Sequence, residues 1–164
     1  LRGGFAGIIS SYSDQFSAEV VAQFSDRWKI GASDAVDVDH SDVSALKSRG
    51  IVVANTPDVL ADGSADLAMR WMLGAARHAV AGDRIVRSGA WDSWSPAFMV
   101  GKQVTGARLG IIGMGRVGQA FAVNSRGFDM KLHYFHRRPL PLEPPQWAFY
   151  PATVPRLSRF GAAL

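Results

Sequence analysis

The sequence predicts an α/β fold in which parallel β-strands are joined by helices. Short β-branched runs alternate with segments of helical periodicity in the first part of the chain, and a glycine-rich turn joins a strand to a helix further on. Of the 164 residues, 48% are hydrophobic and 20% charged, which is typical of a globular protein and not of a disordered one. The length fits one domain or parts of two.

The first 57 residues or so alternate strands and helices. The predicted strands are Phe5–Ile9, Trp28–Ala32 and Ile51–Ala54. A first helix follows possible caps at Asp14 and Ser17, and a second begins after Ser41 or Asp42 and ends at Gly50. Strands that alternate with helices in this way indicate a parallel sheet with helical crossovers.

A long helix is predicted next, beginning at Asp62 or Ser64. Its wide apolar face predicts that much of it is buried. The helical pattern continues through Arg84–Ser88 and breaks at Gly89. Residues 89–106 are predicted to form a connecting loop in which Trp91 and Trp94 anchor the chain, as loop aromatics commonly do.

A glycine turn carries the clearest functional signal. The predicted strand Arg108–Ile112 leads into Gly113-Met-Gly-Arg-Val-Gly118, an amphipathic helix follows, and Met130–Tyr134 alternates as a second strand. In this pattern Gly113 permits the tight turn, Gly115 lets a pyrophosphate approach the backbone, and Gly118 lets the helix pack closely. The context favours the start of a Rossmann dinucleotide-binding domain over a plain tight turn.

The end of the second strand distinguishes the two nicotinamide cofactors. An acidic residue there would bind the ribose 2′-hydroxyl of NAD, whereas a basic group would bind the 2′-phosphate of NADP. The chain has Phe135, His136, Arg137 and Arg138 at this place and no acid. The two arginines, with His136 as a neighbouring contact, favour NADP(H) and leave NAD(H) possible. The alternative is that both arginines simply face solvent.

Composition and residue spacing argue against membrane-spanning, nucleic-acid-binding and metal-binding functions. The chain has no cysteine, which fits a reducing compartment such as the cytoplasm, and no apolar run long enough for a membrane helix. Residues 101–164 hold 9 basic and 2 acidic residues, but no nucleic-acid-binding motif accompanies them, so no nucleic-acid partner is predicted. The four histidines show no metal-ligand spacing, and no metal site is predicted.

Several segments resemble the D-isomer-specific 2-hydroxyacid dehydrogenases, and within them the glyoxylate/hydroxypyruvate reductases. The segments are LGIIGMGRVG (109–118), SRGIVVANTPDVLADGSADLAMRWMLGAAR (48–77) and GDRIVRSGAWDSW (82–94). The resemblance implies a partial flavodoxin-like substrate domain over residues 1–72 and a partial NAD(P)-binding domain over residues 73–164. The likeness is expected to stop near Pro141, because residues 142–164 form an atypical, proline-containing tail with no strand or helix period.

The resemblance also implies positions for the site. Gly115, Arg116 and Val117 fall where the family meets the cofactor pyrophosphate, and Arg137 and Arg138 fall at the 2′-phosphate. Val36 and Asp37 fall on the loop whose backbone amides bind the substrate carboxylate. Asp37 departs from the glycine usual there, and its charge would repel a substrate carboxylate.

The implied activity is the reduction of a small 2-oxo acid to a D-2-hydroxy acid by hydride from the nicotinamide. The family's catalytic Arg, Glu and His lie beyond the cofactor turn, so no catalytic residue is predicted within this chain and the chain alone is expected to be inactive. Full-length members are expected to be homodimers. Two alternatives stay open: a non-catalytic, corepressor-like dinucleotide sensor of the same fold, and a remnant too small to fold stably.

Overall fold

The computed structural model describes residues 4–137 and 148–149. The chain forms two compact units, Leu1–Val59 and Leu60–Leu164. The predicted domain division at residues 72 and 73 refers to the domains of full-length relatives and stays a prediction. None of the helices in the described part of the chain is long and apolar enough to cross a membrane.

The first unit is a three-stranded parallel sheet with two short helices. In chain order its elements are β1 (Gly7–Ser10), α1 (Ala18–Ala22), β2 (Ile30–Ser33), α2 (Val43–Ser48) and β3 (Val52–Ala54). The strand order is β1-β2-β3, with Gly7 opposite Ile30 and Ile30 opposite Val52. The predicted α/β fold with parallel strands is confirmed.

Local signals explain where the two helices begin and end. The Ser17 hydroxyl accepts a hydrogen bond from the Val20 amide, and the Asp42 carboxylate accepts one from the Ala45 amide at 2.8 Å. Gly50 follows α2 with a φ of +71°, a backbone conformation that glycine adopts without strain. Asp14 does not cap α1; its carboxylate instead accepts from the Ser11 amide in the preceding turn.

The core of this unit explains why the second strand starts later than predicted. Trp28 was expected to begin the strand, but its indole is buried and stacks on Phe24 with ring centroids 4.2 Å apart. Phe24 in turn meets Phe16 edge-on at 5.7 Å. Burial of these large aromatic surfaces outweighs the strand preference of Trp28, so β2 begins at Ile30.

The second unit is a parallel sheet preceded by a helical segment. Its elements are α3 (Ala61–Ala76), α4 (Ala79–Arg87), β4 (Arg108–Ile112), α5 (Arg116–Ser125), a 3₁₀ turn (Arg126–Phe128), β5 (Lys131–Phe135) and β6 (Ala148–Phe149). The strand order is β4-β5-β6, all parallel, with Leu109 opposite Leu132. Helix α3 packs on α5, and Asn124 donates a hydrogen bond to Asp66 between them at 3.0 Å.

Helix α3 differs from its prediction in two ways. It begins at Ala61 after Leu60, so neither Asp62 nor Ser64 provides the N-cap, and no side chain caps it. Ala65 and Met72 are its buried residues, whereas Trp71 is 51% exposed. The prediction that much of α3 is buried was therefore wrong, because this helix contacts the rest of its unit through a narrow stripe.

The segments that flank the glycine turn also differ from expectation. Trp91 and Trp94 are 53% and 75% exposed, so neither is a buried anchor in the loop. Within the proline-rich tail, where no strand was predicted, Ala148 and Phe149 pair with Leu132 and His133 as β6. Two residues are too few to show a period in sequence, and the neighbouring strand supplies their hydrogen bonds.

Candidate cofactor site

The glycine turn lies between the carboxyl end of β4 and the first turn of α5. Gly113 follows β4 with a φ of +99°, which L-amino acids with a side chain rarely adopt. Met114 is buried beneath the turn, and Gly115 is the N-cap of α5 in extended backbone geometry. The local sequence thus turns the chain sharply out of a buried strand and into a helix.

Gly118 packs the first turn of α5 against the backbone of the glycine turn. A β-carbon at this position would overlap the carbonyl oxygen of Gly113 and lie 3.1 Å from its carbonyl carbon. Both atoms belong to the main chain and cannot move aside as a flexible side chain would. The close approach expected of the third glycine in the motif is therefore present.

Gly115 lies in open space. No heavy atom lies within 4 Å of a β-carbon built at this position, and the residue is exposed. No side chain forms a capping hydrogen bond at the start of α5. An α-helix leaves its first N–H groups without intrahelical partners, and its dipole makes this end positive. The residues present therefore fit a dinucleotide pyrophosphate, an anion that needs close backbone approach.

Two hydrogen bonds join the glycine turn to the end of β5. The Gly113 amide donates to the Phe135 carbonyl oxygen at 2.8 Å. The Met114 amide donates to Nδ1 of His136 at 3.2 Å. The predicted 2′-site residue His136 is thus in direct contact with the predicted pyrophosphate turn, a link that spacing in the sequence did not reveal.

The remaining predicted cofactor residues differ in how far the structure describes them. Arg116 and Arg137 are exposed, and Val117 is 38% exposed at the start of α5. Arg138 lies outside the described residues. Arg137 follows His136 directly, so the structure places one predicted 2′-phosphate arginine beside the residue that contacts the turn.

An apolar cleft of about 520 Å³ opens beside the turn. Its lining comprises residues of α3, β4 and α5 together with the turn itself: Ala68, Trp71, Gly110, Ile111, Ile112, Gly113, Val117, Gly118 and Phe121. Trp71 thus shares this cleft with two glycines of the motif, a placement that no pattern in the sequence predicted. An indole in this position is an internal fluorescence probe for ligands of the turn.

The predicted substrate loop follows β2 in the first unit. The Val36 carbonyl oxygen accepts a hydrogen bond from the Asn55 side chain at 2.6 Å, and the Ala35 amide donates to the Ser33 hydroxyl at 3.1 Å. Within the described part of the chain, the amides of Val36 and Asp37 donate no hydrogen bond. Such amides could receive a carboxylate, although the Asp37 side chain is exposed beside them.

Two of the histidines outside the turn, His40 and His133, are buried or half-buried. Buried His40 contacts the Ser33 hydroxyl through Nε2 at 3.2 Å. Burial of the His133 imidazole, together with the Arg108 guanidinium, lowers the pKa of His133 below its ordinary value of 6.5. Among the described residues, no group of three or more His, Asp or Glu side chains is arranged to hold a metal ion.

Comparison with known proteins decides the family. The sequence model of the "D-isomer specific 2-hydroxyacid dehydrogenase, NAD binding domain" matches residues 69–157. The chain belongs to the D-isomer specific 2-hydroxyacid dehydrogenase family. The match runs well past Pro141, so the expectation that the likeness stops there was wrong. Proline breaks hydrophobic periodicity but does not exclude membership of a family.

Related proteins agree with this assignment. The chain is 42% identical over 134 residues to a glyoxylate reductase of Pyrococcus horikoshii, and 34% identical over 128 residues to a glycerate dehydrogenase of Hyphomicrobium methylovorum. These alignments cover 79% and 78% of this chain. In both cases the alignment spans 40% of the relative's length, so this chain corresponds to less than half of those proteins.

Solved structures show the same fold. A Polaromonas sp. JS6 66 protein assigned to the D-isomer specific 2-hydroxyacid dehydrogenases superposes with a TM-score of 0.85 at 40% identity. That match covers 94% of this chain and 48% of the other. A glyoxylate reductase from Paecilomyes thermophila gives a TM-score of 0.75 at 29% identity, covering 88% and 45% of the two chains.

Proposed function

We propose that this chain is the cofactor-binding part of an NAD(P)H-dependent oxidoreductase that reduces a small 2-oxo acid, of the glyoxylate or hydroxypyruvate type, to a D-2-hydroxy acid. The observation that carries the proposal is the open backbone at Gly115, at the start of a helix that no side chain caps. Membership of the dehydrogenase family supports it, as do relatives named glyoxylate reductase and glycerate dehydrogenase.

The chain's own residues would bind and orient the reactants. A bound nicotinamide supplies the hydride. The backbone around Gly115 and the first turn of α5 would hold the pyrophosphate, which fixes the cofactor on the carboxyl side of β4. The amides of Val36 and Asp37 would donate hydrogen bonds to the substrate carboxylate, and the Asp37 carboxylate would weaken that binding by repulsion.

NADP(H) is the preferred cofactor in this proposal. Arg137 is exposed at the end of β5, where a guanidinium forms paired, charge-assisted hydrogen bonds with a 2′-phosphate. We expect Arg137→Ala to weaken NADPH binding by about 10- to 100-fold and to leave NADH binding nearly unchanged, because one charge-assisted contact contributes roughly 1.5–3 kcal/mol.

The matched control removes a positive charge elsewhere in the same unit. Arg84→Ala, on an exposed position of α4, should leave the Kd of both cofactors unchanged. Equal losses of NADPH affinity in the two variants would show a general effect of net charge and would contradict a specific role of Arg137. Isothermal titration of the parent and of each variant with NADPH and NADH gives the six dissociation constants required.

The isolated chain is proposed to bind cofactor without turnover, since the family's acid–base residues are expected outside its sequence. Purified chain mixed with NADPH and glyoxylate should oxidise no NADPH above the rate without protein. Sustained glyoxylate-dependent oxidation would contradict this part of the proposal. A homodimer of the full-length protein stays a prediction from the family resemblance, and a cytoplasmic location stays a prediction from the absence of cysteine.

A further inference from the structure

Two consecutive carbonyl groups in the loop after β2 are bonded to the segment that follows β3. The Asn55 side-chain amide donates to the Val36 carbonyl oxygen at 2.6 Å, and the Thr56 main-chain amide donates to the Ala35 carbonyl oxygen at 3.1 Å. All four residues belong to the first unit. The segment after β3 therefore fixes two successive peptide groups of the loop.

The orientation of these carbonyls determines where the neighbouring amides point. In a planar trans peptide, the C=O of one residue and the N–H of the next are directed to opposite sides. The Ala35 and Val36 carbonyls face residues 55 and 56, so the amides of Val36 and Asp37 are directed away from that segment. These are the two amides that donate no hydrogen bond within the described residues.

The two ends of the same loop are joined in the interior of the first unit. The hydroxyl of buried Ser33 accepts a hydrogen bond from the Ala35 amide at 3.1 Å and contacts Nε2 of buried His40 at 3.2 Å. Neither contact involves the Val36 carbonyl. In the part of the chain that the structure describes, Asn55 is the side chain that bonds to this carbonyl.

Resting on the function proposed above, we propose that Asn55 is a positioning residue for the substrate carboxylate. Its bond to the Val36 carbonyl fixes the peptide that carries the Asp37 amide, which is the second of the two donors proposed for the carboxylate. Asn55 acts through the loop and needs no contact with the substrate. Adjacent main-chain amides with a shared direction are a recurrent way to bind an anion.

Asn55→Ala tests this role because it removes the side-chain donor and keeps the main-chain bond from Thr56. The peptide between Val36 and Asp37 then gains freedom to rotate, and we expect hydroxypyruvate binding to weaken about fivefold, the effect of one neutral hydrogen bond. Amide ¹⁵N shifts of Val36 and Asp37 during a hydroxypyruvate titration give the dissociation constant.

Two further readouts separate positioning from a general loss of stability. Asn55 is exposed, so the melting temperature of Asn55→Ala should fall by no more than a few degrees. Its Kd for NADPH should equal that of the parent, because the glycine turn belongs to the second unit.

Gln23 provides the matched control. Its exposed side-chain amide donates to the Glu19 carbonyl oxygen at 3.3 Å at the end of α1. Gln23→Ala removes the same kind of bond from the same unit and should leave the Kd for hydroxypyruvate unchanged. A parent-like Kd in Asn55→Ala, or equal losses in the two variants, would overturn the positioning role.

A second measurement uses the parent chain without substrate. The Asn55 Nδ2 proton that is bonded to Val36 should exchange with solvent more slowly than its geminal partner. Equal, fast exchange of both protons would overturn the proposal, as would the absence of hydroxypyruvate binding to the parent. The NADPH titration of the same chain decides separately whether the proposed cofactor-binding function fails.

Discussion

A β-carbon on Gly118 would overlap the carbonyl oxygen of Gly113, whereas one on Gly115 would meet no atom within 4 Å. Substitution of these two glycines by alanine should therefore change the stability of the chain to different extents. We expect Gly118→Ala to destabilise the chain by about 1–3 kcal/mol, the usual cost of overpacking, because main-chain atoms must shift. Thermal denaturation followed by circular dichroism measures this change.

Gly115→Ala serves as the matched substitution at the same motif. It should lower the melting temperature by only a few degrees, because its β-carbon enters open space and its backbone is extended, and the remaining cost is that alanine is a poorer N-cap than glycine. It should nevertheless weaken NADPH binding about tenfold by keeping the pyrophosphate away from the backbone. A Gly115→Ala chain that binds NADPH as tightly as the parent would contradict the proposed pyrophosphate site.

Arg49, at the end of α2, forms hydrogen bonds with the C-terminal end of α1. Its guanidinium donates to the carbonyl oxygens of Val21 at 2.6 Å and Phe24 at 2.7 Å. We expect Arg49→Ala to lower the free energy of unfolding by about 1.5–3 kcal/mol, because hydrogen bonds from a charged donor to helix-end carbonyls are lost. Urea denaturation followed by the fluorescence of Trp28, buried in the same unit, measures the change.

Asp26 provides the control for this prediction. Its carboxylate pairs with Arg49 at 3.2 Å but its side chain is fully exposed. Exposed pairs contribute little, so Asp26→Asn should leave stability unchanged within error. Equal losses in the free energy of unfolding from Arg49→Ala and Asp26→Asn would mean that the ion pair, and not the carbonyl contacts, stabilises the contact between α1 and α2.

His133 gives the chain a pH-dependent stability. Burial and, secondarily, Arg108 lower the pKa of His133 in the folded chain below the unfolded value of 6.5. Below pH 6.5 the unfolded chain therefore binds the proton more readily, and folding loses stability as the pH falls toward 5. His133→Gln should lose less stability between pH 7 and pH 5 than the parent does.

The control for this pH effect is the exposed His78, which has a φ of +54° that asparagine tolerates. His78→Asn should reproduce the parent's pH profile of melting temperature. A His133→Gln profile that coincides with that of the parent would show that burial of His133 has no bearing on acid stability.

Asp37 is predicted to oppose substrate binding. Its exposed carboxylate lies on the loop whose Val36 and Asp37 amides donate no hydrogen bond within the described part of the chain. We expect Asp37→Gly to tighten hydroxypyruvate binding about threefold, because repulsion between two exposed like charges a few ångströms apart in water costs on the order of 1 kcal/mol or less. Amide ¹⁵N shifts of Val36 during a hydroxypyruvate titration report the affinity. Asp39→Gly, which also removes an exposed charge, should have less effect.

The sequence predicted those features that local chemistry determines. The caps at Ser17 and Asp42, the stop at Gly50 and the strand–turn–helix around Gly113 each depend on residues a few positions apart. Periodicity likewise located β4 and β5.

The sequence did not predict contacts between residues that lie far apart along the chain. The bonds from Arg49 to carbonyls more than 20 residues earlier, and from Met114 to His136, depend on how separate elements pack. Exposure of Trp91 and of much of α3 was mispredicted for the same reason, because an apolar side chain does not reveal which surface covers it.

Titration of the 164-residue chain with NADPH and NADH in parallel tests whether the glycine turn binds a nicotinamide dinucleotide and prefers NADPH. Energy transfer from tryptophan, including Trp71 in the cleft beside the turn, reports binding. We expect saturation with both cofactors and a lower Kd for NADPH. Saturation at lower NADH concentration would contradict the roles of Arg137 and His136, and no saturation with either cofactor would contradict the binding site itself.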